Sequence, residues 1–311
     1  MKVFITGGAG FIGSTMVDKL LLDLSNEVTV FDNFISGQML YINHHLNNKN
    51  FKLIKGDLQN LQLVKESIKG HDFVYHFAAN PDISKAMTET DLDLRLGIIA
   101  TYNLVEAMRI NNVKAIAYSS GSGVYGDVGL TETPEDFGPL IPASMYGACK
   151  LGSEAIISAF CHMFDMRSWV FRFANVVGKR QTHGVGYDFI RKLKEKPFEL
   201  TILGNGTQSK SYIHVDDVLE AIFYVIKKTN GIVNIFNVAT GDYITVNEIA
   251  EIVINEMGLK NIKFNYTGGD RGWKGDVPVV RFNLDKINKL DWKAKYNSKQ
   301  AIQKSVREMY T

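Results

Sequence analysis

The first strand-like run, Val3–Thr6, ends in Gly7-Gly8-Ala9-Gly10-Phe11-Ile12-Gly13, after which a helical pattern begins. Few structures need glycines at this spacing between a strand and a helix. One lets the chain turn tightly, one lets backbone approach a bound group, and one lets the helix pack close to the strand. Gly8, Gly10 and Gly13 fit G-x-G-x-x-G, while Gly7, Gly10 and Gly13 fit G-x-x-G-x-x-G. A helix opening in this way offers unpaired N–H groups and its positive end to a pyrophosphate. The next strand-like run, Val28–Phe31, leads into Asp32. A carboxylate there accepts hydrogen bonds from ribose hydroxyls and repels a 2′-phosphate, so the pattern predicts NAD rather than NADP. Asn33 and Asp57 are further candidates near the adenine ring.

Strand-like runs recur at Phe51–Lys55, Phe73–Phe77, Ala115–Ser119 and Trp169–Phe173, with helical patterns between them, notably Ile98–Ile110 and Tyr146–Phe164. Such alternation predicts βαβ units in a parallel sheet, with right-handed crossovers putting helices on both faces. The texture changes after Asn175. Thr201–Gly206, Val233–Val238 and Asn261–Tyr266 are strand-like, Asp216–Lys228 and Val246–Met257 helix-like, and Gly268–Gly275 a glycine-rich loop. The expected fold is α/β: a Rossmann-type doubly wound parallel sheet over residues 1–174, with return segments near 212–240. A smaller mixed α/β substrate domain is expected over 175–311.

The chain has 311 residues, 45% hydrophobic and 22% charged, with 35 basic against 33 acidic residues and a net charge of +2. That balance argues against nucleic acid or an anionic membrane as partner. The run Met1–Ile5 is too short for a signal peptide, and no segment approaches the ~20 apolar residues of a membrane span. A cytoplasmic address is expected. Cys149 and Cys161 lack metal-ligand spacing and are expected to be buried small hydrophobes, so no metal is predicted.

Tyr146 and Lys150 lie four apart on one predicted helix face. A phenol is a poor base at neutral pH, but a nearby ammonium favours the phenolate. The pair can take the proton of a sugar hydroxyl while the adjoining carbon gives hydride to a nicotinamide.

With these residues in view, the chain resembles the extended short-chain dehydrogenases, and within them the NAD-dependent nucleotide-sugar epimerases and dehydratases. The likeness rests on Thr6–Gly13, Asp32-Asn33, Gly56-Asp57, His76–Ala79, Val124-Tyr125-Gly126, Tyr146–Lys150, Phe171–Asn175 and Tyr212–Asp217, in family order over nearly the whole chain. It implies 4-epimerisation of UDP-glucose and UDP-galactose, or of a related UDP-sugar, through a transient 4-keto intermediate. It also implies a homodimer built on two long helices, about 92–110 and 146–164. By position, Gly7, Gly10, Phe11, Ile12, Gly13, Asp32, Asn33, Ser36, Gly37, Asp57, Leu58, Phe77, Ala78, Ala79, Ser119, Tyr146, Lys150 and Phe173 would line the cofactor. Asn175, His183, Gly184, Thr201, Leu203, Lys210 and Arg271 would meet the substrate, with Trp273 an alternative to Arg271. Lysine at 210, where an arginine often grips phosphate, keeps the charge but not the bidentate geometry.

Two positions depart from the family pattern. Gly121 stands where a Ser or Thr usually orients the reacting hydroxyl. Ser120 and Ser122, which on a strand would share a face, are the candidates to replace it in catalysis and, for Ser122, in substrate contact. Gly97 stands where an Asn is common. These losses leave other outcomes open: decarboxylation, reduction or dehydration of a nucleotide sugar, or a weakly active NAD-binding module. His44-His45 is expected in a solvated loop, and His214 as a structural hydrogen-bonder.

Overall fold

Val3, Phe4 and Ile5 are consecutive and all fully buried, the signature of a strand covered on both faces. In the computed structural model of the chain, which describes residues 1–272 and 275–310, they lie in Lys2–Thr6 (β1) near the middle of a seven-stranded parallel sheet. The other strands are Glu27–Asp32 (β2), Phe51–Lys55 (β3), Phe73–His76 (β4), Ala115–Gly121 (β5), Arg167–Phe173 (β6) and Val233–Val238 (β7). Their order is β7-β6-β5-β4-β1-β2-β3, with β1 paired in parallel to both β2 and β4. The winding direction reverses between β1 and β4, the point where a doubly wound sheet opens a crevice at its carboxyl ends. This is the Rossmann-like architecture expected from the strand–helix alternation.

The chain divides into two compact units. The first comprises Met1–Gly121, Met145–Phe171 and Thr229–Ile235. The second comprises Ser122–Ser144, Arg172–Lys228 and the chain from Phe236 onward. Against an expected division near 175, the second unit thus claims 122–144, and only Thr229–Ile235 returns to the first. The helix Val215–Lys228 stays with the second unit because it packs beside Tyr212–His214 and Asn175–Val177.

In the first unit the helices are Phe11–Leu20 (α1), Leu61–Ser67 (α2), Ala100–Ile110 (α3) and Met145–Met163 (α4). Phe4, Val74, Ile116 and Val170 of the sheet meet Leu104 and Met108 of α3 and Ile157 of α4 in one core. Truncating a buried leucine such as Leu104 costs about 2–5 kcal/mol. The helix α1 stops at Leu20, because the Asn26 amide donates to the Leu20 carbonyl and Asp23 accepts the Ser25 N–H. Leu94–Ile99, ahead of α3, is wound as a π-helix with Gly97 inside it. A Cβ at Gly97 would lie 3.2 Å from that of Cys149, so the missing side chain matches a close approach to α4. His44 and His45 are not simply solvated. They belong to short 3₁₀ turns pinned by fully buried Ile42, and both Nε2 atoms face Asp18 Oδ1, at 3.0 and 2.7 Å.

In the second unit, Tyr212–His214 lies parallel to Asn175–Val177, and Glu199–Ile202 parallel to Lys263–Tyr266. Leu193, Leu200, Ile202, Ile249, Val253 and Ile302 form its core. Among the described residues no helix is long and apolar enough to cross a membrane.

Candidate active site

The glycine loop joins β1 to α1 with no room for side chains. Gly7 has φ +69°, and a Cβ there would come within 2.7 Å of the Ala78 nitrogen; one at Gly13 would lie 2.2 Å from the Gly7 carbonyl oxygen. Gly10 is the N-cap of α1 and no side chain caps it, which leaves the helix N-terminus to a ligand. Asp32, at the end of β2, accepts from the Ala9 N–H at 2.9 Å and from the Phe34 N–H at 2.8 Å. It therefore braces the glycine loop against the loop after β2. Burial raises its pKa while those two N–H groups pull it down. Phe34 adopts φ +60°, unusual for a bulky residue, to aim that N–H. A Cβ at Gly37 would lie 2.7 Å from an Asp32 oxygen, so the chain crosses this carboxylate closely. Asn33 donates to Asp57 at 3.1 Å. Leu58 turns its side chain into the core. Ser36 is exposed beside Gly37. This backbone cradle with its carboxylate fits a dinucleotide.

A buried polar network supports the cradle from beneath. The fully buried His76 imidazole meets Thr6 Oγ1 through Nδ1 at 2.7 Å and Thr101 Oγ1 through Nε2 at 3.0 Å. Thr101 donates onward to Ser153 of α4, and Thr6 accepts from the Ala78 N–H. These directions fix the tautomer: Nε2 carries the proton and Nδ1 accepts from Thr6. Burial, reinforced by the Lys150 charge, lowers the His76 pKa to about 3, so the ring is neutral.

Tyr146 and Lys150 project from the first turns of α4 into a pocket lined also by Ala79, Asn80, Asp93, Gly97, Tyr118 and Cys149. Lys150 Nζ donates to the Ser119 carbonyl at 2.6 Å and lies over the rings of Tyr118 and Tyr146, 4.9 and 5.6 Å from their centroids. Burial lowers its pKa to about 8, with Glu154 and Asp93 opposing. The phenol behaves differently from the sequence expectation. Burial, followed by the negative charge of Asp93, pushes Tyr146 up to about 12, so the ammonium does not by itself leave a resting phenolate.

The serines separate. Ser120, buried in β5, donates a short hydrogen bond to the buried carboxylate of Glu154. Ser122 is not on the strand: β5 ends at Gly121, and Ser122 opens a 3₁₀ turn in the second unit, its carbonyl accepting the Tyr125 N–H. The face shared with Ser120 therefore does not exist.

The remaining substrate candidates, and Phe173, belong to the second unit. Lys210 is ion-paired with Asp276 at 2.7 Å. Arg271 donates to the Asp276 carbonyl at 2.9 Å and to Asp127 at 2.7 Å. Asn175 donates to the Ser211 carbonyl, and the Thr201 and Leu203 carbonyls accept from Lys192 and Gln208. His183 is exposed, and Gly184 (φ +97°) caps the helix Val185–Glu195. Trp273 lies outside the described residues. The Val-Tyr-Gly motif is structural: Tyr125 donates to Asn237 and accepts from Arg172, and a Cβ at Gly126 would lie 1.9 Å from the Ile141 carbonyl. His214 is fully enclosed and bonded to Glu308, as expected of a structural histidine.

Sequence reasoning missed Asp93, Asn80 and Glu154. Glu154 was within reach, since it follows Lys150 by one helical turn. Asp93 sits among the charged residues Glu89, Asp91 and Arg95, and no spacing marks it as the buried one.

A parallel sheet with a glycine cradle, an acid ending its second strand and a buried Tyr–Lys pair defines a dinucleotide-dependent enzyme of the Rossmann type. A family model described as the NAD dependent epimerase/dehydratase family matches residues 3–239, and the chain belongs to that family. NAD is its cofactor. A UDP-glucose 4-epimerase of Mycolicibacterium smegmatis is 30% identical over 83% of this chain and 83% of its own length. A crystallised UDP-galactose 4-epimerase is 35% identical, with TM-score 0.88 over 99% of this chain and 98% of that one. A UDP-glucose 4-epimerase of Thermotoga maritima, solved with UDP-glucose, is 29% identical, again with TM-score 0.88 over 99% and 98%.

Proposed function

We propose that the chain is a nucleotide-sugar 4-epimerase acting on UDP-glucose and UDP-galactose or a closely related UDP-sugar. The observation that carries this reading is the convergence of Tyr146 and Lys150 in one pocket, on the unit that also holds the glycine cradle and Asp32. Gly7, Gly10, Phe11, Ile12 and Gly13 hold the pyrophosphate at the head of α1. Asp32 takes the ribose hydroxyls, and Asn33, Ser36, Gly37, Asp57, Leu58, Phe77, Ala78, Ala79, Ser119 and Phe173 complete the cofactor contacts. NAD supplies the hydride acceptor. Tyr146 takes the proton of the sugar 4-hydroxyl as C4 is oxidised and returns it after the ketone has turned its other face. The Lys150 ammonium stabilises the phenolate during that transfer. Asn175, Lys210 and Arg271 receive the diphosphate, backbone at Thr201 and Leu203 meets the base, and His183 and Gly184 contact the substrate.

Homologues named as UDP-sugar 4-epimerases support the substrate class. The exposed side chains of Leu94 and Ile99 on the π-helix before α3, of Tyr102 on α3 and of Met145 on α4 support reading the chain as a homodimer. Light scattering should give twice the 34.9 kDa chain mass. The test of function incubates the purified protein, without added NAD, with UDP-glucose, UDP-galactose, their N-acetyl forms and UDP-glucuronate. Proton NMR should show inversion at C4 of at least one. Retained NAD with no inversion of any would overturn the reading. Tyr146→Phe should lose turnover and keep its NAD.

A further inference from the structure

Asp93 is buried at 3% exposure, yet one of its carboxylate oxygens, Oδ2, has no hydrogen-bond partner. Oδ1 accepts from the Asn80 amide at 3.0 Å. Asn80 is itself held by the backbone after it, its amide donating to the Asp82 carbonyl and its own oxygen accepting the Asp82 N–H. A buried carboxylate half served by hydrogen bonds is costly unless a charge pays for it. The cation in its pocket is Lys150, which donates its hydrogen bond to the neutral Ser119 carbonyl.

We propose that Asp93 is the counter-charge of the Tyr146–Lys150 pair, a positioning residue that acts on the reacting hydroxyl through those two side chains. The proposal rests on the epimerase reading for the pair's role, but the charge relation holds for any reaction the pair performs. The groups facing it are few. From α4 come Tyr146, Lys150 and Cys149; from β5, Tyr118; and from the chain after β4, Asn80. Glu154, a turn beyond Lys150, bears on the lysine more strongly than Asp93 does, but it is hydrogen-bonded to Ser120, and of the two acids only Asp93 bears on Tyr146 as well. On its own segment, Arg95 is paired with Asp91 and Glu89. Gly97, one turn on from Asp93, lines the same pocket without adding a side chain to it.

A tyrosine and a lysine this close lose their two protons in steps that belong to the pair. The working form, with one proton on the pair, exists between those steps. A negative charge beside both groups raises both steps. Its removal lowers both, so the window of activity moves toward acid without changing its width much.

The test compares the NAD-loaded wild type with Asp93→Asn, which keeps the side-chain shape and the acceptor for Asn80. The profile of kcat/KM against pH should move, on both limbs, about one unit toward acid. A rate loss with both limbs unmoved would overturn the proposal, since a merely structural role predicts that. A second reading needs no sugar. In protein labelled with ¹³C-lysine, the Lys150 Cε resonance, assigned by its loss in Lys150→Met, should titrate about one unit lower in Asp93→Asn. An unmoved midpoint refutes the counter-charge even if no UDP-sugar turns over, whereas a moved midpoint without turnover refutes only the epimerase reading. Should Asp93→Asn fail to fold, Asp93→Ser removes the same charge with a smaller side chain and should move the midpoint the same way; no movement there would also count against Asp93.

Discussion

Acid should loosen the first unit through His76. The ring is fully buried and neutral, with a pKa near 3 set first by burial and then by Lys150, while an unfolded histidine titrates near 6.5. A proton therefore binds the unfolded chain first. The stability associated with the neutral ring is complete above about pH 6.5 and drains away as pH falls toward 3. At pH 5 the difference amounts to about 1.5 units, or about 2 kcal/mol at 1.36 kcal/mol per unit. That is a sizeable share of the 5–15 kcal/mol typical of a domain. His71, also depressed by burial, adds in the same direction. The assay is urea unfolding of wild type and His76→Gln at pH 7, 6 and 5, followed by tryptophan fluorescence. His76→Gln should start less stable, because Thr6 loses its acceptor, but should lose about 2 kcal/mol less than wild type between pH 7 and 5. Parallel losses in the two proteins would refute the reasoning.

Gly13→Ala pushes a methyl against the Gly7 carbonyl; overpacking on the order of 3 kcal/mol should leave the purified protein with under about a tenth of its bound NAD, read by absorbance after desalting. Asp32→Ala strands the Ala9 and Phe34 N–H groups, at about 1–3 kcal/mol each, and should lower the melting temperature while relaxing the preference for NAD over NADP. Lys210→Ala should raise KM for the UDP-sugar about tenfold and change kcat much less, because a charge-assisted contact to diphosphate is worth about 1.5–3 kcal/mol and lies away from the reacting carbon.

The parts of the fold legible in the sequence are those where steric or burial demands are local. Gly7–Gly13 reads as a cradle because each glycine is needed within a few residues, and Val3–Ile5 reads as a doubly covered strand because three consecutive side chains are apolar. Tyr146 and Lys150 were visible because helical spacing puts them on one face. What escaped depends on distant partners. Asp93 looks like a surface acid until α4 brings Lys150 into its pocket. The direction of the Tyr146 shift was missed for the same reason, since neither its burial nor that acid is written in the motif. Ser122 could not be placed by strand alternation once β5 gave way to a 3₁₀ turn. The Tyr125–Arg172–Asn237 knot joins three segments far apart in sequence, so the Val-Tyr-Gly motif gave no hint of its structural purpose.

The most direct test of the central claim follows one hydrogen. UDP-glucose carrying deuterium at C4 is incubated with the protein as purified, no NAD being added, and the product is read by ²H NMR and mass spectrometry. Oxidation and re-reduction at the Tyr146–Lys150 pocket predict UDP-galactose that keeps its deuterium at C4. Galactose formed with that deuterium washed out, or formed equally well by Tyr146→Phe, would contradict it.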